Sequence, residues 1–419
     1  MTFVITTAVV ALFRRTATAA ANRPSCSSSS VVSISTLGKC TSSQLRRMTT
    51  APSQDDGSGI NDKHFTIGIT GSGGLIGTAL RNELTSSQGN TTIDGKPIRL
   101  IKLIRGSQAE KFSNTSYGKS DTESFMELSL TWNPKASQPQ DVIDPNALKE
   151  MDALIHLSGE NISTNIGLPG PLNALGIRPW TSAKKREILY SRVITTSALA
   201  KAIENLGNEE SKQISFLVAS GVGAYGPHFI EPNMMGVDES ADTATSKGFL
   251  AEVSRQWEDA TESASNNANC RIAILRNGVV LSTKGGALAK LHPIFFLGGG
   301  GIVGSGQQYF PFISAKDMVR SMIHVLQTPT LEGPINMCAP GSDDCGGCTN
   351  EEFTKAFGTI LNRPTILPFP SFAVSLLFGE MGEEVLLGGT RAVPRKLVDS
   401  GFEFLHPDVE SALKSAVNE

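Results

Sequence analysis

The stretch from Phe65 to Leu80, "FTIGITGSGGLIGTAL", decides the fold of this 419-residue chain. Ile67 to Thr70 reads as a short buried strand, and Leu75 to Leu84 opens an amphipathic helix. Between them Gly71, Gly74 and Gly77 stand three residues apart, with Gly73 also in the loop. A strand that runs through a glycine turn into a helix makes an anion site. The first-turn N–H groups lack partners, and the aligned peptide dipoles favour negative charge there. On that reading Gly71 permits the tight turn, Gly74 lets a pyrophosphate approach the backbone, and Gly77 lets the helix pack on the strand. The spacing is G-x-x-G-x-x-G rather than G-x-G-x-x-G. Alone it is weak, because any tight strand-to-helix turn collects glycines.

The pattern downstream strengthens it. "IRLIKLI" (Ile98 to Ile104) reads as a second strand, "FMELSLTW" as a third and "DALIHLSG" as a fourth. A longer helix follows Trp180, with Thr181 as its cap and Leu189, Val193, Thr196, Ala200 and Ile203 on one face. "ISFLVAS" and "RIAILRNGVVL" supply a fifth and a sixth strand. The helix between them carries Leu250, Val253, Trp257, Ala260 and Ala264 at similar spacing. Strands alternating with helices predict an α/β fold, a Rossmann-type doubly wound, mostly parallel sheet. After Ser282 the texture changes: "LGGGGIVGSGQQ" predicts a flexible loop, and helices follow over 316–326 and 350–361. The expected division is 1–62 as transit peptide and disordered linker, 63–345 as a nucleotide-binding domain, and 346–419 as a small C-terminal lobe.

The end of the second strand adds specificity. NAD sites place a carboxylate there for the ribose 2′-hydroxyl, whereas a basic residue suits a 2′-phosphate. Here the strand ends "LIRGSQ", so Arg105 holds the position and NADP(H) is expected over NAD(H). The alternative is an ordinary exposed arginine at a strand end.

The first acidic residue is Asp55, and before it lie Arg14, Arg15, Arg23, Lys39, Arg46 and Arg47 among many Ser, Thr and Ala. That composition reads as an organellar transit peptide, for a mitochondrion or a chloroplast, or else as a disordered cytosolic tail. Without those six cations, 31 Lys and Arg face 40 Asp and Glu, a net charge of −9. So acidic a body is a poor nucleic-acid binder. No run supplies the ~18 apolar residues of a spanning helix. The sequence identifies neither the substrate nor the oligomeric state.

Taken jointly, "ITGSGGLIGTAL", "WNP", "ALIHLSGENI", "SRVITTSALAKAI", "ASGVGAYG", "LRNGVVLSTKGGAL", "GSGQQYFPFISAKD" and "GPINMCAP" resemble the atypical extended short-chain dehydrogenase/reductases. This is the NAD(P)-dependent epimerase/dehydratase family, in its YfcH-like branch. "RPTILPFPSF…GE…LLGGTRAVPRKLVDSGFEF" resembles the small terminal domain of that branch, and the likeness runs from about residue 65 to 414. The resemblance implies that Gly71, Ser72, Gly74, Leu75, Ile76 and Gly77 hold the pyrophosphate, and that Ile104 and Arg105 meet the adenosine end. It implies further that Leu157 and Ser158 pass the nicotinamide ribose, that Glu187 and Arg192 reach the cofactor side of the cleft, and that Val279 and Val280 border the nicotinamide. A solvated helix face is the alternative for Glu187 and Arg192, and core packing for the valines.

Family catalysis ordinarily uses Tyr-x-x-x-Lys, in which the ammonium lowers the phenol pKa. The four tyrosines, Tyr117, Tyr190, Tyr225 and Tyr309, are followed four residues on by Asp121, Ile194, Phe229 and Ile313, so the pair is absent. Ser220, at the end of the fifth strand, stands where the family keeps a substrate-orienting hydroxyl. Tyr225 is a stand-in proton donor or a tyrosine packed at a turn. Glu160 and Asn161 could donate, accept or merely cap. The resulting expectation is hydride transfer on a small hydroxyl or carbonyl compound, or a nucleotide-binding sensor or scaffold without turnover. Cys345 and Cys348 ("CGGC"), with Cys338 nearby, lack the second pair a structural zinc needs and sit in a glycine-rich loop, so no metal is expected.

Overall fold

The computed structural model describes residues 64–85, 92–106, 125–162, 179–207, 212–227 and 236–419. The expected transit peptide, Tyr117 and most of the loop after Arg105 lie outside them. The elements are, in chain order, β1 (Phe65–Thr70), α1 (Leu75–Thr85), β2 (Ile98–Arg105), β3 (Phe125–Trp132), α2 (Pro145–Lys149) and β4 (Ala153–His156). There follow α3 (Ser182–Glu204), β5 (Ile214–Gly221), α4 (Phe249–Asp259), β6 (Cys270–Asn277), β7 (Val279–Leu281) and α5 (Gly286–Phe296). The chain continues with β8 (Tyr309–Phe310), β9 (Phe312–Ser314), α6 (Ala315–Gln327), β10 (Gly333–Met337) and β11 (Cys348–Thr349). It ends with α7 (Asn350–Leu361), α8 (Ser371–Gly382), α9 (Arg395–Asp399) and α10 (Val409–Val417).

Seven strands form the central sheet in the order β10-β6-β5-β4-β1-β2-β3, every neighbouring pair parallel. Both faces are covered, as a parallel sheet requires. On one face, Leu80 and Leu84 of α1 and Met318, Met322 and Val325 of α6 pack on Ile67, Ile69 and Ile155. On the other, Leu199 and Ile203 of α3 and Trp257 of α4 pack on Leu154, Phe216 and Val218. The chain order reverses between β1 and β4, and in such sheets ligands lie outside the carboxyl ends of the strands at that reversal.

Three expectations need correction. The "RIAILRNGVVL" run is two strands, not one. It breaks at Gly278, whose N–H donates to Met337 O at 3.0 Å, while β7 turns away to pair with β9. The buried stripe of α3 includes Ile188, Thr195 and Leu199, with Leu189 and Val193 only half-buried, because the first half of the helix borders a cleft instead of the sheet. The glycine-dense stretch is a packed seam rather than a flexible loop. Gly301 and Val303 bridge Ile366 and Phe369, and a Cβ on Gly301 would fall 1.5 Å from Leu367 O.

The last seventy residues close the molecule. Phe353 and Phe357 of α7 and Leu413 of α10 share one hydrophobic cluster with Leu281 of β7, Leu288 of α5 and Phe312 of β9. Among the described residues no helix is long and apolar enough to cross a membrane.

Candidate functional site

The glycine turn sits at the strand-order reversal, and each glycine answers a different contact. Gly71 has φ +70°, and a Cβ on it would stand 2.8 Å from the Leu157 carbonyl carbon and 3.0 Å from Ser158 N. Gly77 is shut in by the turn itself, with Gly71 O 2.3 Å from its would-be Cβ. Gly74 donates its N–H to Gly71 O at 3.0 Å. Gly73 faces open space, nothing lying within 4 Å of its would-be Cβ. No acidic residue stands in the first turn of α1. An open mouth with backbone amides, a helix N-terminus and no carboxylate fits a pyrophosphate. At the end of β2, Ile104 and Arg105 are both exposed, and the Arg105 charge reaches the buried His156.

His156 ends β4 beneath this turn. Its Nδ1 lies 2.6 Å from Thr70 Oγ1 and its Nε2 3.1 Å from Thr195 Oγ1. Burial, helped by Arg105, pushes its pKa down to about 3. The ring is a neutral tie between β1, β4 and α3.

Beyond β4 the chain brings Gly159 against Arg192, whose Cζ would lie 3.3 Å from a Cβ at that glycine. The guanidinium donates to Ile188 O at 2.9 Å and lies 4.9 Å from the Trp257 ring centroid. Burial pulls its pKa to about 10 against the opposing charge of Glu160. Glu160 is itself held, accepting from the buried Lys184 Nζ at 2.6 Å. Glu187 meets this group only at its edge, through the same lysine. Five residues on a helix turn through about 140°, so with Arg192 in the cleft Glu187 faces solvent, 65% exposed beside Lys184 at 3.6 Å.

Next to the turn lies a cavity of about 530 Å³. The two share a border, because Leu75 of the turn is 3.3 Å from a would-be Cβ of Gly286, which lines the cavity. Ser220, Arg192, Asn161 and Val279 line it as well. Val280 instead packs on the core around β1. From α4 come Leu250, Val253, Ser254 and Trp257. These form two i,i+4 pairs on one face, and neither is Tyr and Lys.

Ser220 Oγ donates to Glu258 Oε1 at 2.8 Å. Arg276 grips the same carboxylate through Nε at 3.0 Å and Nη2 at 2.8 Å. The Arg276 guanidinium lies 4.9 Å from the Tyr225 ring centroid. Burial lowers the Arg276 pKa, but Glu258 outweighs that and holds it above the ordinary guanidinium range. Tyr225 donates to Asn336 Oδ1 at 2.8 Å, and burial pushes its pKa up to about 12. It does not line the cavity. The short turn Val222–Tyr225 carries the ring toward β10, so Tyr225 is the packed tyrosine rather than a proton donor at the cavity. Glu258 was missed by sequence reasoning. Its only signal was an acid one turn after Ser254 on a helix otherwise read as packing. Asn277 Oδ1, at the cavity, is buried without a partner among the described residues.

The C-terminal residues seal the far end. Glu384 accepts from Phe249 N at 2.6 Å and Leu250 N at 2.9 Å, capping α4 from another part of the chain, where Gly248 offers no side chain. Lys185 pairs with Glu380 and sits 4.8 Å from the Phe249 ring centroid. No cysteine lines this cleft among the described residues. Cys338 and Cys348 are buried thiols whose pKa values burial raises. Among the described residues no group of three or more His, Cys, Asp and Glu is placed to hold a metal.

Comparison with known proteins agrees with this geometry. Residues 369–416 match a domain of unknown function, DUF1731. An epimerase family protein of Mycobacterium bovis is 35% identical over 347 residues, covering 83% of this chain and 96% of that protein. A chloroplastic epimerase family protein, the SDR39U1 homolog of Arabidopsis thaliana, is 30% identical over 84% of this chain and 87% of its own length. The crystal structure of human epimerase family protein SDR39U1 (isoform 2) with NADPH superposes with a TM-score of 0.61 at 27% identity, covering 84% of this chain and all of that one.

Proposed function

The chain belongs to the epimerase family of atypical short-chain dehydrogenase/reductases, and from that premise we propose that it binds NADP(H) at the carboxyl ends of β1 and β4 and transfers hydride to or from a small hydroxyl or carbonyl compound. The observation that carries this reading is the shared border at Leu75 and Gly286: an open anion cradle abuts a half-enclosed apolar cavity. The NADPH-bound human relative supports the choice of cofactor. Gly71, Ser72, Gly74, Leu75, Ile76 and Gly77 would hold the pyrophosphate. Ile104 and Arg105 would meet the adenosine end, Arg105 favouring a 2′-phosphate. Leu157, Ser158 and Arg192 would flank the nicotinamide ribose, and Val279, on the cavity wall, would border the ring with Val280 packed behind it.

When bound, the cofactor supplies or accepts a hydride. Ser220 would orient the substrate oxygen. Its own hydrogen is committed to Glu258, so Oγ presents lone pairs and accepts from a substrate hydroxyl. In the oxidising direction the substrate's proton passes to Ser220 Oγ while Ser220's proton moves to Glu258 Oε1. NADPH consumption across a carbonyl panel, abolished in Ser220→Ala with NADPH affinity intact, tests this. Unchanged turnover in that variant removes Ser220 from the chemistry.

A second reading, a sensor or scaffold that binds NADP(H) without turnover, is favoured by the α4 face, which offers no phenol or ammonium to the cavity. NADPH binding with no turnover on any substrate would establish it. We further propose an organellar location, supported by the acid-free, cation-bearing first 54 residues and by the chloroplastic relative. Residues 63–345 and 346–419 would act as two lobes bracketing the cavity.

A further inference from the structure

We propose that the cavity takes an uncharged, largely apolar ketone or aldehyde, or the matching alcohol, and excludes nucleoside-diphosphate sugars. The inference rests on the reading above only in treating this cavity as the substrate site. Its walls are apolar, among them Val253, Trp257, Phe295, Phe353, Met381 and Leu386. The charged residues among the described lining are Arg192, Lys290 and Glu384.

None of the three suits a diphosphate. Arg192 is held on Ile188 O and Trp257 beside Gly159 at the cofactor edge. Lys290 is half-buried on α5 and already engaged with a partner of its own. Glu384 puts a carboxylate at the end away from the turn, fixed by two amides. A dianion there would meet like charge in a desolvated setting, the arrangement in which buried charge is most unfavourable. The body's surplus of acids adds to the repulsion.

The polar groups point the same way. Ser220 Oγ has given its hydrogen to Glu258, and Asn277 Oδ1 is an acceptor without a donor among the described residues. Gln308 Nε2, a potential donor, is spent on Val303 O and Leu386 O at 2.9 Å each. The hydroxyl of the alcohol can donate to the Ser220 Oγ lone pairs.

A homologous series tests this on the full chain. Straight-chain methyl ketones and their 2-alkanols are titrated calorimetrically into the NADPH-loaded and the NADPH-free protein, with UDP-glucose as the polar probe. Affinity should rise about fourfold per added methylene until the cavity fills, the factor expected for a buried CH₂. UDP-glucose should give no heat and no competition. Val253→Phe, which takes up cavity volume, should move the plateau to a shorter chain. A series flat in chain length, or UDP-glucose displacing the longest ketone, would overturn the proposal. Failure to bind NADPH, or ketone binding without NADPH oxidation, strikes the hydride-transfer reading instead and leaves the chain-length result to stand by itself.

Discussion

Gly77→Ala probes the cradle where steric and functional readings make different demands. The added Cβ would lie 2.3 Å from Gly71 O and 2.8 Å from Ser72 Cα, where ordinary contact begins at 3.4 Å. The turn must therefore move by roughly 1 Å, and main-chain atoms cannot swing aside as a flexible side chain would. Overpacking of this kind costs about 1–3 kcal/mol. The displaced atoms are those proposed to receive the pyrophosphate, so binding must restore them. If that whole cost falls on the bound geometry, NADPH affinity drops about 5- to 150-fold. Gly73→Ala is the internal control, since its Cβ meets nothing within 4 Å and stability should be unchanged. Calorimetric titration with NADPH and urea unfolding read the two quantities separately. Gly77→Ala with NADPH affinity within twofold of the parent and unaltered stability would refute both the packing argument and the cradle.

Glu384→Ala removes the acceptor for Phe249 N and Leu250 N; urea unfolding should show a loss of about 1–2 kcal/mol, in line with loss of an N-cap, and Glu384→Gln should lose less. Glu258→Gln should lower turnover with NADPH affinity unchanged, whereas Tyr225→Phe should cost about 1–2 kcal/mol by orphaning Asn336 Oδ1 and leave turnover alone; a steady-state comparison showing the reverse would return Tyr225 to the mechanism. His156 sets an acid limb. Its neutral ring is the folded form, with a pKa pushed down to about 3 from the ordinary 6.5, so protonation favours the unfolded chain. Its contribution, on the order of 5 kcal/mol, is complete above pH 6.5 and lost as pH falls toward 3. Unfolding free energy measured over that window should fall less steeply in His156→Gln.

The sheet was legible because its signals are local. The apolar run into Gly71 and the alternation of strands with 3.6-periodic helices need no tertiary knowledge. The break at Gly278 was not legible, because it depends on Pro311 and Met337 arriving from later in the chain to claim the neighbouring amides. Nor was the packing of the glycine-dense seam, whose glycines are there for backbone approach by Ile366 to Phe369. At the cleft, Arg192 and Glu187 looked equivalent by spacing, and only the rotation of α3 against Trp257 separates them. Tyr225 was misleading for a similar reason: sequence places it five residues beyond Ser220, but one turn of tight helix sends its hydroxyl to β10.

The missing Tyr and Lys on α4 are not a simple vacancy. Trp257 stands one turn after Val253 on the cavity face and carries a cation on its ring, but that cation is Arg192, delivered by α3. Positive charge is thus present at the cofactor edge without a phenol beside it to activate. Ser220, Glu258 and Arg276 are joined in one chain with Tyr225 stacked behind, while Ser254, Lys290 and Tyr309 line the cavity outside it. Arg276 is a permanent cation, so a proton entering this chain from the cavity can pass Ser220 but has nowhere to go beyond Glu258. If hydride transfer occurs here, its proton leaves by that carboxylate or by solvent at the open end. Glu258→Gln separates these routes: it blocks the first while leaving Ser220 a carbonyl oxygen to bind, so turnover that survives with an unaltered pH profile would assign the proton to solvent.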